Sequence, residues 1–318
     1  MLTGANSYPF HNFIGPVISA LFCGNAIIVK NSEQTAWSTV YYSGIVRAAL
    51  SACGHDPDLV QAVSCWPQTA AHLTSHPGIS HITFIGSKPV AHEVAKCAAR
   101  SLTPLCVELG GKDAAIVLDD PRGKPMPAGE LHRIESIIMR GVFQSAGQNC
   151  IGIERVVAMP RAYEALVRVL TPRIQALRLG NDLDFEGTDS KEGVDVGAMI
   201  SPASFDRLEK LVAEAVAQGA RLLAGGRRQI HPRHHLGHYF EPTLLVDVTD
   251  QMAIAREELF APVCVVMRAN SVDEAVAITN GTIYGLGCSV FGPTTSHAGR
   301  AQLQQVVSRV KSGMVAVN

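Results

Sequence analysis

The chain is short of charge. Lys, Arg, Asp and Glu make up 17% of its 318 residues, against 47% hydrophobic residues, and the formal net charge is −1. With no basic excess there is no electrostatic footing for nucleic acid or an anionic membrane surface. The eight cysteines (Cys23, Cys53, Cys65, Cys97, Cys106, Cys150, Cys264 and Cys288) include no CxxC pair and no other metal-ligand spacing. Thiols scattered in this way fit a reducing, intracellular compartment, read here as cytoplasmic. His231, His234, His235 and His238 share a polar loop with Pro232 and Gly237, but no cysteine or acid supplements them nearby. They are expected as solvated loop histidines, and no metal is expected. Internal repeats, low-complexity segments and a basic leader after Met1 are missing too. The longest apolar run, Phe13 to Val29, is interrupted by Gly15, Pro16, Gly24 and Asn25. It reads as a helix, a turn and a short strand, since a membrane span needs about 20 uninterrupted apolar residues.

What is present is enough apolar sequence for two α/β domains. In the first third, strand signals at 25–30, 79–84 and 104–108 alternate with helix signals at 33–50 and 88–100. Such alternation predicts a parallel sheet with helices on its faces. The next region opens at Ala114–Leu118, and Pro121 to Gly129 is a polar, exposed loop. Beyond Cys150 the pattern predicts helices near 161–177, 204–218, 272–279 and 296–311. Strands are predicted near 243–248, 263–267, 287–291 and 314–317.

Five short segments carry chemistry. A helix-compatible run from Ile134 to Phe143 breaks at Ser145-Ala146-Gly147 and delivers Cys150 on a turn beside free backbone amides. That setting suits a nucleophile, although a free cysteine is more often a small buried hydrophobe. Upstream, Glu108-Leu109-Gly110-Gly111-Lys112 joins a lone acid, a candidate base, to a glycine pair. Phe84-Ile85-Gly86-Ser87 sits where a strand passes into a helix, so Ser87 is a candidate N-cap and the amides beside Gly86 a candidate phosphate site. No GxGxxG accompanies it, and an ordinary capped helix is the plain alternative. Lys30 and Glu33 follow a strand at the edge where parallel sheets bind ligands. A carboxylate there accepts two ribose hydroxyls and repels a 2′-phosphate, while solvated surface charge is the default for such a pair. Glu258 stands two residues before Phe260, a spacing that suits an acid for ribose and a ring behind a nicotinamide, or equally a turn packed on a core.

Together these residues resemble the aldehyde dehydrogenase superfamily over nearly the whole chain. Its Lys-Pro-Ser-Glu motif is similar to Lys30 to Glu33, and its Phe-Thr-Gly-Ser motif to Phe84 to Ser87. Its Glu-Leu-Gly-Gly-Lys motif is matched in full from Glu108 to Lys112, and its Gly-Gln-x-Cys motif from Gly147 to Cys150. Its Glu-Glu-Ile-Phe-Gly-Pro motif resembles Glu257 to Pro262, with Ala261 in place of glycine. The resemblance implies an α/β fold: a partial Rossmann-type cofactor domain over 1–109 and an α/β catalytic domain over 110–318. It implies NAD-dependent oxidation of an aldehyde through a thiohemiacetal and a thioester on Cys150, with Glu108 as the hydrolytic base. Lys30, Glu33, Gly86, Ser87, Leu109, Glu258 and Phe260 would bind NAD, with NADP disfavoured by Glu33. An acylating relative that passes the thioester to coenzyme A is disfavoured by the presence of Glu108.

Three departures set expectations of their own. The family places an oxyanion-hole asparagine two residues before a proline; Ser7 holds that place before Pro9, and Asn6 is one residue early. Losing such a donor costs on the order of a hundred- to a thousandfold in rate. The family's further N-terminal strands, oligomerisation hairpin and C-terminal oligomerisation strand have no counterpart here, so a shortened chain is expected, although full-length relatives are homo-oligomeric. The longer loop at Pro121–Gly129 points to a divergent branch, the fungal and plant one with an N-terminal membrane anchor being the candidate. A catalytically impaired fragment that keeps the fold and binds a nucleotide is the alternative to an active enzyme.

Overall fold

The computed structural model describes residues 2–3, 7–181 and 193–318. Its contacts divide the chain into two compact units, Met1–Gly110 and Gly111–Asn318.

In the first unit, β1 (Leu2–Thr3), α1 (Pro9–Phe22), β2 (Ile27–Lys30), α2 (Ala36–Ala52), β3 (Val60–Val63), α3 (Pro67–Thr74), β4 (Ile82–Ile85), α4 (Lys88–Ala98) and β5 (Leu105–Glu108) alternate. The five strands form one parallel sheet in the order β3-β2-β1-β4-β5. The expected break in the Phe13–Val29 run falls at Gly24, whose φ of 76° only glycine adopts without strain. Among the described residues no helix is long and apolar enough to cross a membrane. The predicted helix from Glu33 starts as a single 3-10 turn, Glu33–Thr35, and becomes α-helical at Ala36. β3 and α3 escaped the sequence reading, because Val60-Gln-Ala-Val63 is too short to show a period. Two small apolar clusters fill this unit, one around Phe13, Val17, Val29 and Val60, the other around Ile82, Phe84 and Val94.

The second unit is larger and better filled. It contains β6 (Asp113–Val117), α5 (Ala128–Phe143), β7 (Ile153–Ala158), α6 (Pro160–Gln175), α7 (Phe205–Ala217), β8 (Arg221–Ala224), β9 (Arg228–Gln229), β10 (Tyr239–Phe240), β11 (Thr243–Val246), β12 (Val263–Arg268), α8 (Val272–Asn280), β13 (Gly287–Phe291), α9 (His297–Val307) and β14 (Met314–Val317). Seven strands form a sheet in the order β14-β13-β6-β7-β12-β11-β8, parallel except for β8. The core strands β6 and β7 are buried along their whole length, as parallel strands covered on both faces must be. β7, β8, β9 and β10 escaped the sequence reading; in β7, Glu154 and Arg155 interrupt the apolar pattern. α9 stops at Val307, four residues before its expected end.

Helices α5 and α6 bury Ile134, Ile138 and Val142, and Leu166, Leu170 and Ile174, at the three- and four-residue spacing of an amphipathic helix. α6 is tied to the end of β11 by Tyr163, which is 1% exposed. Its hydroxyl donates to Asp247 Oδ1 at 2.5 Å and accepts the Asp247 amide at 3.0 Å. Burial, and then the bond to Asp247, push the phenol up from 10.0 to about 12. The protonated phenol is thus favoured by the fold, and its stabilisation is fully present below the unfolded value and lost as pH rises through the folded one. We expect Tyr163→Phe to be less stable than the wild type near neutrality, and the gap to close between pH 10 and about 12 in denaturant titrations. A gap that stays constant with pH would mean that the hydroxyl contributes nothing through its proton.

Candidate active site

The expected site residues fall into two sets, one in each unit. In the first unit the parallel strands β2, β4 and β5 end at one sheet edge with Lys30, Ile85 and Glu108. This is the edge where ligands bind to such sheets. Lys30 is largely buried, and its Nζ lies 3.4 Å from Oε2 of the more exposed Glu33. Gly86 and Glu108 are brought side by side, the Gly86 amide donating to the Glu108 carbonyl at 3.0 Å. A Cβ at Gly86 would come within 2.8 Å of the Phe84 ring, so the glycine makes room for that ring. Ser87 is the residue before α4, with Pro89 in the first turn, as expected. Its hydroxyl caps nothing in its own helix, which leaves it available together with the helix's first amides. Glu108 Oε1 accepts the Gly110 amide at 3.3 Å, and Leu109 packs against the Ile82–Phe84 cluster. Ser7 is buried, with its carbonyl taking a 2.7 Å bond from the Asn12 side chain. Asn6 lies outside the described residues.

In the second unit Cys150 lies half-buried on the turn between α5 and β7. The chain reaches it by an unusual path. Ser145, Ala146 and Gly147 have φ of 56°, 55° and 71°, three successive left-handed residues after the helix end. Each non-glycine residue there costs roughly 1–2 kcal/mol, strain of a kind that concentrates at functional sites. Two glycines allow close packing around the turn. A Cβ on Gly147 would strike the Ala261 carbonyl and come within 2.8 Å of the Pro262 nitrogen, and one on Gly111 would meet the Cys150 carbonyl at 2.8 Å. Cys264 and Cys288 are the buried hydrophobes that the plain reading of a cysteine describes. Burial pushes both thiols up to about 12.

The segment from Glu258 to Pro262 is held on several sides. Glu258 Oε1 accepts the Gly111 amide at 3.3 Å. Arg207 donates to the carbonyls of Glu258 and Leu259, at 3.2 and 3.4 Å. Glu154 accepts the Leu259 amide at 2.9 and 3.0 Å and the Phe260 amide at 2.9 Å. Phe260 itself has a φ of 52°, another left-handed non-glycine residue. Lys112, the last residue of the glycine-bearing motif, is 1% exposed and bonds Glu154 Oε2 at 2.7 Å. Burial lowers the Lys112 pKa, and the Glu154 charge opposes that. Arg155 points the other way along the strand, to the Lys112 carbonyl and to the last carbonyls of α8 at Ile278 and Thr279, 2.9–3.0 Å away.

Sequence reasoning missed Glu154, Arg155 and Arg207. For the first two the signal was visible: a charged pair inside an otherwise apolar strand must be partnered to be buried. The histidine loop needs a correction. His231 is buried rather than solvated, stacked 4.9 Å from His234 and tilted against Tyr239 at 5.2 Å, with its Nδ1 accepting the amides of Arg233 and His234.

The turn geometry yields a test. Gly24 and Gly147 have similar positive φ, but a Cβ at Gly24 meets nothing within 4 Å. Gly24→Ala should therefore lose only about 1–2 kcal/mol of backbone strain in urea unfolding. Gly147→Ala should lose more, and should change the alkylation rate of Cys150 because Ala261 or the turn must move. Equal losses for the two substitutions would sink this account.

Residues 6–318 match the Aldehyde dehydrogenase family. An aldehyde dehydrogenase-like protein of Schizosaccharomyces pombe is 53% identical over 312 residues, covering 98% of this chain and 56% of that protein. One of Saccharomyces cerevisiae is 53% identical over 319 residues, covering 98% of this chain and 47% of its own length. The crystal structure of lactaldehyde dehydrogenase from Escherichia coli is similar with a TM-score of 0.85 and 29% identity, over 99% of this chain and 61% of that one. The chain thus spans about half the length of the curated relatives it matches. By the family match over residues 6–318 and by its fold, this chain belongs to the aldehyde dehydrogenase family.

Proposed function

We propose that this chain carries the machinery for NAD-dependent oxidation of an aldehyde to a carboxylic acid. The observation that carries the reading is Cys150 on its strained, glycine-packed turn, the one cysteine of the eight that follows such a path. The Cys150 thiolate attacks the aldehyde carbonyl, forming a carbon–sulfur bond and a thiohemiacetal oxyanion. The Cys150 amide stabilises that oxyanion, with the Ser7 hydroxyl standing in for the family's asparagine. Bound NAD supplies the acceptor for the hydride that leaves carbon as the thioester forms. Glu108 then takes a proton from water, which attacks the thioester and releases the acid and the Cys150 thiol.

The cofactor reading is supported by the chain's own groups. Lys30 and Glu33 stand at the end of β2, Gly86 and Ser87 at the start of α4 with an uncommitted hydroxyl, and Leu109 beside them in the same unit. Glu33 as a ribose acceptor favours NAD, because a 2′-phosphate would meet its charge. Glu258 and Phe260 serve the nicotinamide side. The substrate is a small-molecule aldehyde.

The test follows absorbance of NADH with a panel of aldehydes. Cys150→Ala should abolish turnover. Glu108→Gln should keep a first burst of about one NADH per Cys150 and slow the steady rate by about a hundredfold or more, since general-base assistance contributes about that much. Steady turnover that survives Cys150→Ala would overturn the reading.

A further inference from the structure

The proposed reaction leaves Glu154 without a task, yet the fold goes to some length to aim it. Along β6 and β7 the register runs Asp113 opposite Ile153 and then Ala114 opposite Arg155, so Glu154 is the extra residue of a β-bulge. A bulge re-aims a side chain that a regular strand would send elsewhere. Here it delivers a carboxylate, 4% exposed, to two neighbouring backbone amides and one buried ammonium.

We propose that Glu154 is a positioning residue for the nicotinamide nucleotide, fixing the Glu258–Phe260 turn so that Glu258 and Phe260 meet the cofactor ready-shaped. The inference rests on the cofactor reading given above. A plain ion pair would need only Lys112, but Glu154 Oε1 is committed to Leu259 and Phe260, and Phe260 is left-handed. The Leu259 amide is buried and the Phe260 amide partly so, and Glu154 is the acceptor of both. Lys112 has the complementary part. It directly follows Gly111, whose amide binds Glu258, so one buried pair sets both ends of the turn against the glycine motif.

The test compares Glu154→Ala with the double variant Lys112→Met/Glu154→Gln. Glutamine keeps one oxygen for the two amides, and methionine removes the ammonium that its NH2 group would otherwise face. In Glu154→Ala, hydrogen exchange at Leu259 and Phe260 should accelerate and the KM for NAD should rise about tenfold or more, as expected when buried donors lose their acceptor. Hydrogen exchange along β11 and β13 should stay within about twofold of wild type, which a general loss of structure would not permit. The double variant should recover the NAD KM to within about threefold, because an uncharged pair of similar volume replaces a buried ion pair at little cost. Should Glu154→Ala not fold, the double variant alone carries the test, and an NAD KM raised tenfold in it would overturn the proposal. So would a folded Glu154→Ala protein with protected Leu259 and Phe260 amides or an unchanged NAD KM. Absence of nucleotide binding in the wild type would overturn the cofactor reading and the cofactor role of Glu154 together, while the exchange rates would still decide separately whether Glu154 holds the turn.

Discussion

Within the second unit, much rests on one buried carboxylate. Glu154 joins Lys112, the end of the glycine motif, to the amides of Leu259 and Phe260, so segments about 40 and 105 residues away in sequence share one group. A buried ion pair is a poor source of stability, because the cost of desolvating both partners cancels most of their attraction. Its worth lies in geometry. Removing one partner strands a charge and two amide donors, and the turn they hold would lose its shape before the sheet lost its core.

The strain around Cys150 has the same logic. Three left-handed residues in succession are unfavourable locally, and only packing against fixed backbone elsewhere keeps them in place. That backbone is Ala261–Pro262, part of the turn that Glu154 and Arg207 hold. The Cys150 turn and the Glu258–Pro262 turn therefore support each other, and glycine at 147 is what lets them touch. The two buried thiols, Cys264 and Cys288, lie on strands and are held protonated by burial, so placement rather than residue type separates the reactive candidate from filler.

The two units differ in how they bury apolar surface. The seven-stranded sheet has a continuous core, with strands covered on both faces. The five-stranded sheet has two small clusters, and α2 leaves Trp37, Val40, Tyr41 and Ile45 exposed, with Trp37 stacked on Tyr41 at 5.5 Å. The sheet edge with the candidate site residues nonetheless needs little core. Strand ends and helix starts supply Lys30, Gly86, Ser87 and Glu108 through backbone geometry, and a short parallel sheet suffices to line them up.

By itself the sequence determined what local chemistry can write. Alternating strand and helix signals predicted a parallel sheet, Gly24 marked a turn, and small residues after Phe143 marked the break before Cys150. The motif order from Lys30 to Pro262 identified the family, since each short segment carries its own residue types wherever the chain goes. Tertiary structure alone decided the rest. β7 was hidden because Glu154 and Arg155 look like surface residues until their partners at Lys112, Leu259, Phe260 and the end of α8 are known. His231 looked solvated because its ring partners come from the fold of its own loop. Burial of Glu154 and Arg155 depends on groups that arrive from distant segments, and burial of His231 on how its own loop folds back; no local pattern records either.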